Sequence, residues 1–169
     1  MVNAQLPRRP LTVGAPAADI VARDAARALA EDIGTGDASA ALIAAESRGS
    51  AEVVAREPMV LAGCAWFDAC LRSLDPEAGI DWRHADGERV GAGEVLCLVE
   101  ANARALLSGE RSALNFLQTL SGTATTVAAY VALTAGTQTR LLDTRKTLPG
   151  LRYAQKYAVR VGGAHNHRL

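Results

Sequence analysis

The sequence predicts an α/β chain in which a mixed layer of helices and strands is followed by a βα unit. Three observations carry this. Hydrophobic residues make up 49 % of the chain and charged residues 21 %, the balance of a globular protein rather than a disordered one. Stretches with helical periodicity alternate with a region of β texture between residues 51 and 107. A short strand, Thr139 to Asp143 with the apolar run Leu141-Leu142, then leads into an amphipathic helix, Leu151 to Val161. The length of 169 residues suits one domain or two small ones. Aromatics are only 4 %, so the core must be built from Ala, Leu and Val with close helix approaches.

Residues 1–16 hold three prolines and no periodicity, and read as a loose arm. From Ala17 onward, Ile20, Val21, Ala25, Ala28 and Leu29 recur at helical spacing until Gly34 stops the helix. Gly34-Thr35-Gly36-Asp37 reads as its C-cap and turn. Residues 51–62 read as a strand, with Pro58 forcing an edge or bulge. After Gly63, Trp66, Phe67, Cys70, Leu71 and Leu74 return to helical spacing. Residues 80–107 read as β, broken by turns at Asp86-Gly87 and Gly91-Ala92-Gly93. Gly109-Glu110-Arg111 opens a helical region reaching about Ala135, with Ser121-Gly122 as a possible break. This puts Arg111 in a first helical turn, unfavourable to the helix dipole. In the last helix, Tyr153, Tyr157 and Val161 share a stripe, while Arg152, Lys156 and Arg160 read as a solvated face. The expected domains are therefore 17–108 and 109–169. A parallel βα unit needs neighbouring strands. The chain is accordingly expected to be part of a longer protein, and inactive alone.

The net charge of zero conceals an asymmetry. From Arg140 to Leu169 there are seven Arg or Lys and one acid, Asp143, so this end carries +6 and residues 1–139 carry −6. An anionic ligand belongs at the basic end. Asp143-Thr144-Arg145-Lys146-Thr147-Leu148-Pro149-Gly150 follows the apolar run and offers an Arg fork beside a Lys point charge. His165-Asn166-His167-Arg168 forms a second basic cluster. Nucleic acid is disfavoured as a partner, because the remainder of the chain is acidic. Metal ligation by His165 and His167 is disfavoured by the adjoining Arg168, and no metal site is expected. Cys64, Cys70 and Cys97 form no C-x-x-C and read as free thiols of a reducing cytosol. Arg8-Arg9 is followed by too short an apolar run for an export signal. No run approaches the length of a membrane span, so a cytoplasmic protein without a membrane partner is expected.

An ordered set of segments resembles the quinolinate phosphoribosyltransferase family. These are Glu31-Asp32-Ile33-Gly34-Thr35-Gly36-Asp37, Leu61-Ala62-Gly63, Gly109 to Leu117, Leu120-Ser121-Gly122-Thr123-Ala124-Thr125, Asp143 to Arg152, Lys156-Tyr157-Ala158-Val159 and Gly162 to Leu169. The resemblance implies an α+β N-terminal sandwich followed by the first part of an incomplete α/β barrel. It implies phosphoribosyl transfer from 5-phosphoribosyl 1-pyrophosphate to quinolinate with decarboxylation, giving nicotinate mononucleotide in NAD synthesis. Mg²⁺ would accompany the phosphoribosyl donor. Arg145 and Arg168 resemble the arginines that bind quinolinate, with Thr144 and His167 beside them. Lys146 resembles the lysine reaching the donor. Arg111 resembles an arginine contributed across a homodimer interface to the neighbouring site. The alternative is a non-catalytic dimerisation fragment retaining the N-terminal domain. Ala164 departs from the family by standing where many members have a glycine.

Overall fold

The computed structural model describes residues 13–168; residues 1–12 and Leu169, and with them most of the expected N-terminal arm and Arg8-Arg9, lie outside the described residues. Helix α1 spans Ala18–Ile33 and buries Val21, Ala25 and Leu29 along one stripe. It stops at Gly34, whose φ of +56° suits glycine and whose N–H donates to Ala30 O at 3.2 Å. The expected turn continues into a short helix, α2 (Ala38–Ala41). The Asp37 carboxylate caps it by accepting from Ser39 N and Ala40 N at 2.9 and 3.0 Å.

The β region is a three-stranded antiparallel sheet in the order β1 (Arg48–Val54), β5 (Val95–Asn102), β3 (Gly79–Trp82). Its register places Ala51 and Ile80 on either side of Val99. A second, two-stranded ladder pairs β2 (Met59–Val60) with β4 (Arg89–Val90). The strand expected over 51–62 is thus two strands. Pro58 stands in the gap, where its missing N–H costs no ladder bond. Helix α3 (Cys64–Leu74) packs against the sheet and brings Trp66, Cys70 and Leu71 into the core with Leu61, Leu96 and Val99.

The long helix α4 runs unbroken over Ala103–Leu133. Two expectations are corrected here. The β texture ends at Asn102, not 107, because the Asn102 side chain caps the helix by accepting from Arg104 N at 2.9 Å. Ser121-Gly122 does not break the helix. Ser121 Oγ instead accepts from Ala62 N at 3.0 Å and donates to Ala62 O at 3.1 Å, which docks α4 on the segment before α3. The helix also crosses residue 108, where the sequence placed a domain boundary. A single rigid rod belongs to both halves.

Helix α5 (Arg152–Val161) closes the described chain. As expected from the sequence, its aromatic stripe faces inward. The Tyr157 ring lies 5.4 Å and the Tyr153 ring 6.4 Å from that of Trp66. Tyr157 also donates to Asp86 Oδ2 at 2.7 Å, and the same carboxylate accepts from Gly63 N and Cys64 N at the start of α3. Tyr153 Oη accepts from Ala17 N at 2.7 Å, so the start of α1, just after the expected loose arm, is tied to α5. The strand expected over Thr139–Asp143 reduces to one parallel bridge, Leu142 to His165. Each of these segments has a sheet neighbour on one side only among the described residues, which leaves little ladder to extend.

Helices α4 and α5 approach so closely at Gly162 that an added Cβ would stand 2.5 Å from Ala124 O and 2.7 Å from Val127 Cβ. Gly162→Ala should therefore destabilise the fold by about 1–3 kcal/mol through overpacking. Thermal unfolding followed by circular dichroism should show a melting temperature several degrees lower, about 2–4 °C per kcal/mol for a chain of this size. An unchanged melting temperature would contradict the close approach.

Candidate active site

The site is organised around Asp143, at the end of the segment that pairs with His165. Parallel pairing is fixed by two backbone bonds of 3.0 Å, His165 N to Leu141 O and Asp143 N to His165 O. The two chain segments therefore leave the bridge side by side in the same direction. One continues as Thr144-Arg145-Lys146, the other as Asn166-His167-Arg168. Asp143 binds them together. Its Oδ1 accepts from His167 N at 2.8 Å and from Lys156 Nζ at 2.7 Å, and its Oδ2 accepts from Asn166 Nδ2 at 2.7 Å. Asn166 Nδ2 also donates to Lys156 O at 2.9 Å.

The Asp143–Lys156 pair is almost dry, with side-chain exposures of 5 % and 2 %. Burial alone would raise the Asp143 pKa. The hydrogen bonds from Lys156, His167 N and Asn166 and the Lys156 charge outweigh it, and hold the carboxyl below its ordinary value. This corrects the reading of Lys156 as part of a solvated helix face. Lys156 lies three residues after Tyr153 and so borders the inward stripe of α5. That spacing was the available signal. Sequence reasoning assigned no role to Asp143, Lys156 or Asn166, because the stripe spacing marks which residue is buried but not which partner burial brings to it.

Around this clamp the substrate-facing candidates are free. Thr144, Arg145, Lys146, His167 and Arg168 are all exposed. Thr144 Oγ1 accepts from Lys146 N at 3.0 Å and so shapes the turn that carries Arg145 and Lys146. With Asp143 committed to Lys156, the edge holds two arginines, one lysine and a histidine. It suits a small molecule bearing more than one negative group.

Arg111 stands apart from these five. It lies in the third turn of α4, not the first, so the dipole argument from the sequence does not apply to it. Its Nη1 pairs with Asp32 Oδ1 at 2.8 Å. Nearby on the same helix, Ser108 Oγ donates to Asp37 Oδ2 at 2.8 Å. The acidic and glycine-rich segment Glu31–Asp37 is thus stitched to α4 beside Arg111. Nucleophilic chemistry finds no support in the thiols. Burial pushes Cys70 and Cys97 up to about 12, and burial followed by the Asp86 charge raises Cys64 further.

Comparison with known proteins matches two family models, "Quinolinate phosphoribosyl transferase, N-terminal domain" over residues 37–121 and "Quinolinate phosphoribosyl transferase, C-terminal domain" over residues 123–169. The chain belongs to the quinolinate phosphoribosyltransferase family. A probable nicotinate-nucleotide pyrophosphorylase (carboxylating) of Synechocystis is 45 % identical over 141 residues, covering 83 % of this chain and 48 % of the relative. The nicotinate-nucleotide pyrophosphorylase (carboxylating) of Mycobacterium leprae is 46 % identical over 150 residues, covering 85 % and 52 %. The solved nicotinate-nucleotide pyrophosphorylase of Francisella tularensis superposes with a TM-score of 0.86 at 42 % identity, covering 95 % of this chain and 58 % of that one. The chain spans about half the length of the curated relatives it matches. The expected α/β class agrees with these neighbours. In this family member the two matched regions meet inside α4, at residues 121–123.

The clamp predicts its own acid sensitivity. Because the folded pKa of Asp143 lies below its unfolded value, the stabilisation is fully present above that value and is lost as pH falls through the folded one. Stability should drop below about pH 4, near the ordinary carboxyl value of 3.8. Lys156→Ala should cost about 3 kcal/mol at neutral pH by stranding a buried carboxylate. Denaturant titrations between pH 3 and 7 would check both, and Lys156→Ala should flatten the acid limb.

Proposed function

We propose that this chain supplies the cationic, substrate-holding part of a quinolinate phosphoribosyltransferase active site. Arg145 and Arg168 take the adjacent carboxylates of quinolinate, and His167 and Thr144 border the ring. Lys146 reaches the 5-phosphoribosyl 1-pyrophosphate. The observation that carries this reading is the Asp143 clamp, by which two basic segments leave adjacent parallel chains at one edge. Ligand sites in α/β folds lie at such carboxyl ends.

The reaction is phosphoribosyl transfer with decarboxylation, giving nicotinate mononucleotide, carbon dioxide and pyrophosphate. Its catalysis is mainly electrostatic. Fixed cations hold a dianionic substrate against the ribose carbon as positive charge develops there, so position and field lower the barrier without a covalent nucleophile. Decarboxylation then leaves a carbanion beside the cationic ring nitrogen, which stabilises it. Mg²⁺ belongs to this proposal only through the donor. Among the described residues no group of three or more His, Cys, Asp or Glu could hold a metal ion, and Asp143 is already committed. The pyrophosphate oxygens of the donor would carry the ion.

Arg111 serves the neighbouring site in a homodimer, and Asp32 balances its charge within one copy. A cytoplasmic location is part of the same proposal; among the described residues no helix is long and apolar enough to cross a membrane.

Calorimetric titration of quinolinate into the chain tests the assignment. Arg145→Ala and Arg168→Ala should each weaken binding at least tenfold, the effect of losing a charge-assisted pair worth about 1.5–3 kcal/mol. No binding to the unmodified chain, or unchanged binding in both variants, would leave the dimerisation-fragment reading in its place. Mixing Arg111→Ala with Arg145→Ala subunits should restore a fraction of the binding sites if the site is shared between copies. No restoration under subunit exchange would remove Arg111 from the assignment.

A further inference from the structure

A second concavity lies between α1 and the loop that follows Lys146. Its volume is about 650 Å³, and its walls include Ile20, Arg23, Arg27, Leu148, Gly150 and Arg152. Arg145 and Lys146 are not among its lining residues. It is therefore a different surface from the proposed active site, although the same loop borders both.

Three guanidinium groups line this groove. Asp24 also lines it, but is 6 % exposed and accepts from Trp66 Nε1 at 3.0 Å. Arg23 makes only a solvent-exposed contact of 3.6 Å with Asp19. Arg27 and Arg152 have no ion-pair partner among the described residues. Residues 1–12 contain no Asp or Glu, so no side-chain carboxylate can come from there.

Arg23 and Arg27 are one helical turn apart, a like-charge spacing that is mutually unfavourable. Arg152 adds a third charge from α5, across the groove. Gly150, at φ +80°, lets Arg27 lie directly on the loop. An added Cβ there would stand 2.8 Å from Arg27 Nη2. The backbone thus admits the guanidinium at the position where it completes the cluster. A concave set of like charges concentrates counter-ions, and guanidinium forks match phosphate oxygens bidentately. Ile20, Leu148 and the Tyr153 ring add apolar wall, and the volume lies in the range of small-molecule sites.

We infer that the groove between α1 and the 147–150 loop is a second anion site, which takes a phosphate or pyrophosphate group, free or carried on a small organic molecule. Arg27 and Arg152 are its principal ligands, and Arg23 adds to the field.

The test removes the proposed active site first. A chain carrying Arg145→Ala and Lys146→Ala is titrated calorimetrically with inorganic pyrophosphate and, separately, with inorganic phosphate and with phenyl phosphate. Pyrophosphate should still bind. Adding Arg27→Ala or Arg152→Ala should weaken it about tenfold or more, while Arg27→Lys should recover part of the loss. Both positions are exposed, and circular dichroism would verify that the fold is retained. Tighter binding of phenyl phosphate than of inorganic phosphate would assign a role to the apolar wall. Equal binding would assign the affinity to the phosphate alone. Absence of binding to the Arg145→Ala, Lys146→Ala chain, or affinity unchanged after removal of both Arg27 and Arg152, would overturn the inference. Neither result depends on whether quinolinate binds elsewhere.

Discussion

The buried Asp143–Lys156 ion pair is the interaction on which the candidate site depends. A carboxylate and an ammonium, nearly removed from water, are stable together only when every remaining lone pair and proton finds a partner. Asn166 Nδ2 and His167 N donate to the remaining lone pairs of the carboxylate, and they belong to the second basic segment. Satisfying one buried charge therefore fixes the position of Arg168 relative to Arg145. The cations that face solvent are held by a charge that does not.

This clamp is anchored to the rest of the molecule through α5. The helix presents Lys156 to Asp143, and the next residue, Tyr157, to Asp86 and Trp66. Asp86 in turn caps the start of α3, in the core of the N-terminal layer. A short chain of hydrogen bonds and ring contacts thus connects the barrel-like edge to the sandwich. Helix α4 adds a second, covalent connection by running through both. The two halves share a core, with Trp66 as its fully buried centre.

The sequence made much of this legible. The periodicities of α1, α3 and α5 were clear because each helix buries one apolar stripe, and Gly34 announced the end of α1. The charge asymmetry pointed to the basic end of the chain, where the candidate site lies. The boundary between β5 and α4 was misread because the apolar run of β5 leads directly into Ala103-Arg104-Ala105-Leu106-Leu107, whose strong helix propensity was overridden by that apolar continuity. The Asn102 cap, a single hydrogen-bonding side chain, settled the boundary. Ser121-Gly122 read as a break because both residues are poor helix formers, yet Ser121 uses its hydroxyl in a tertiary contact with Ala62.

What the sequence by itself determined was the family, the order of elements and the identity of the basic residues. Those follow from residue types and spacings, which are local properties. Only the tertiary structure decided which charges are spent and which are free. Lys156 and Arg145 look alike in the sequence, as charged groups near helix or strand ends. One is neutralised in a dry pair with Asp143, while the other stands in water. That distinction depends on burial and on a partner 13 residues away, and solvent exclusion exists only once the chain has folded.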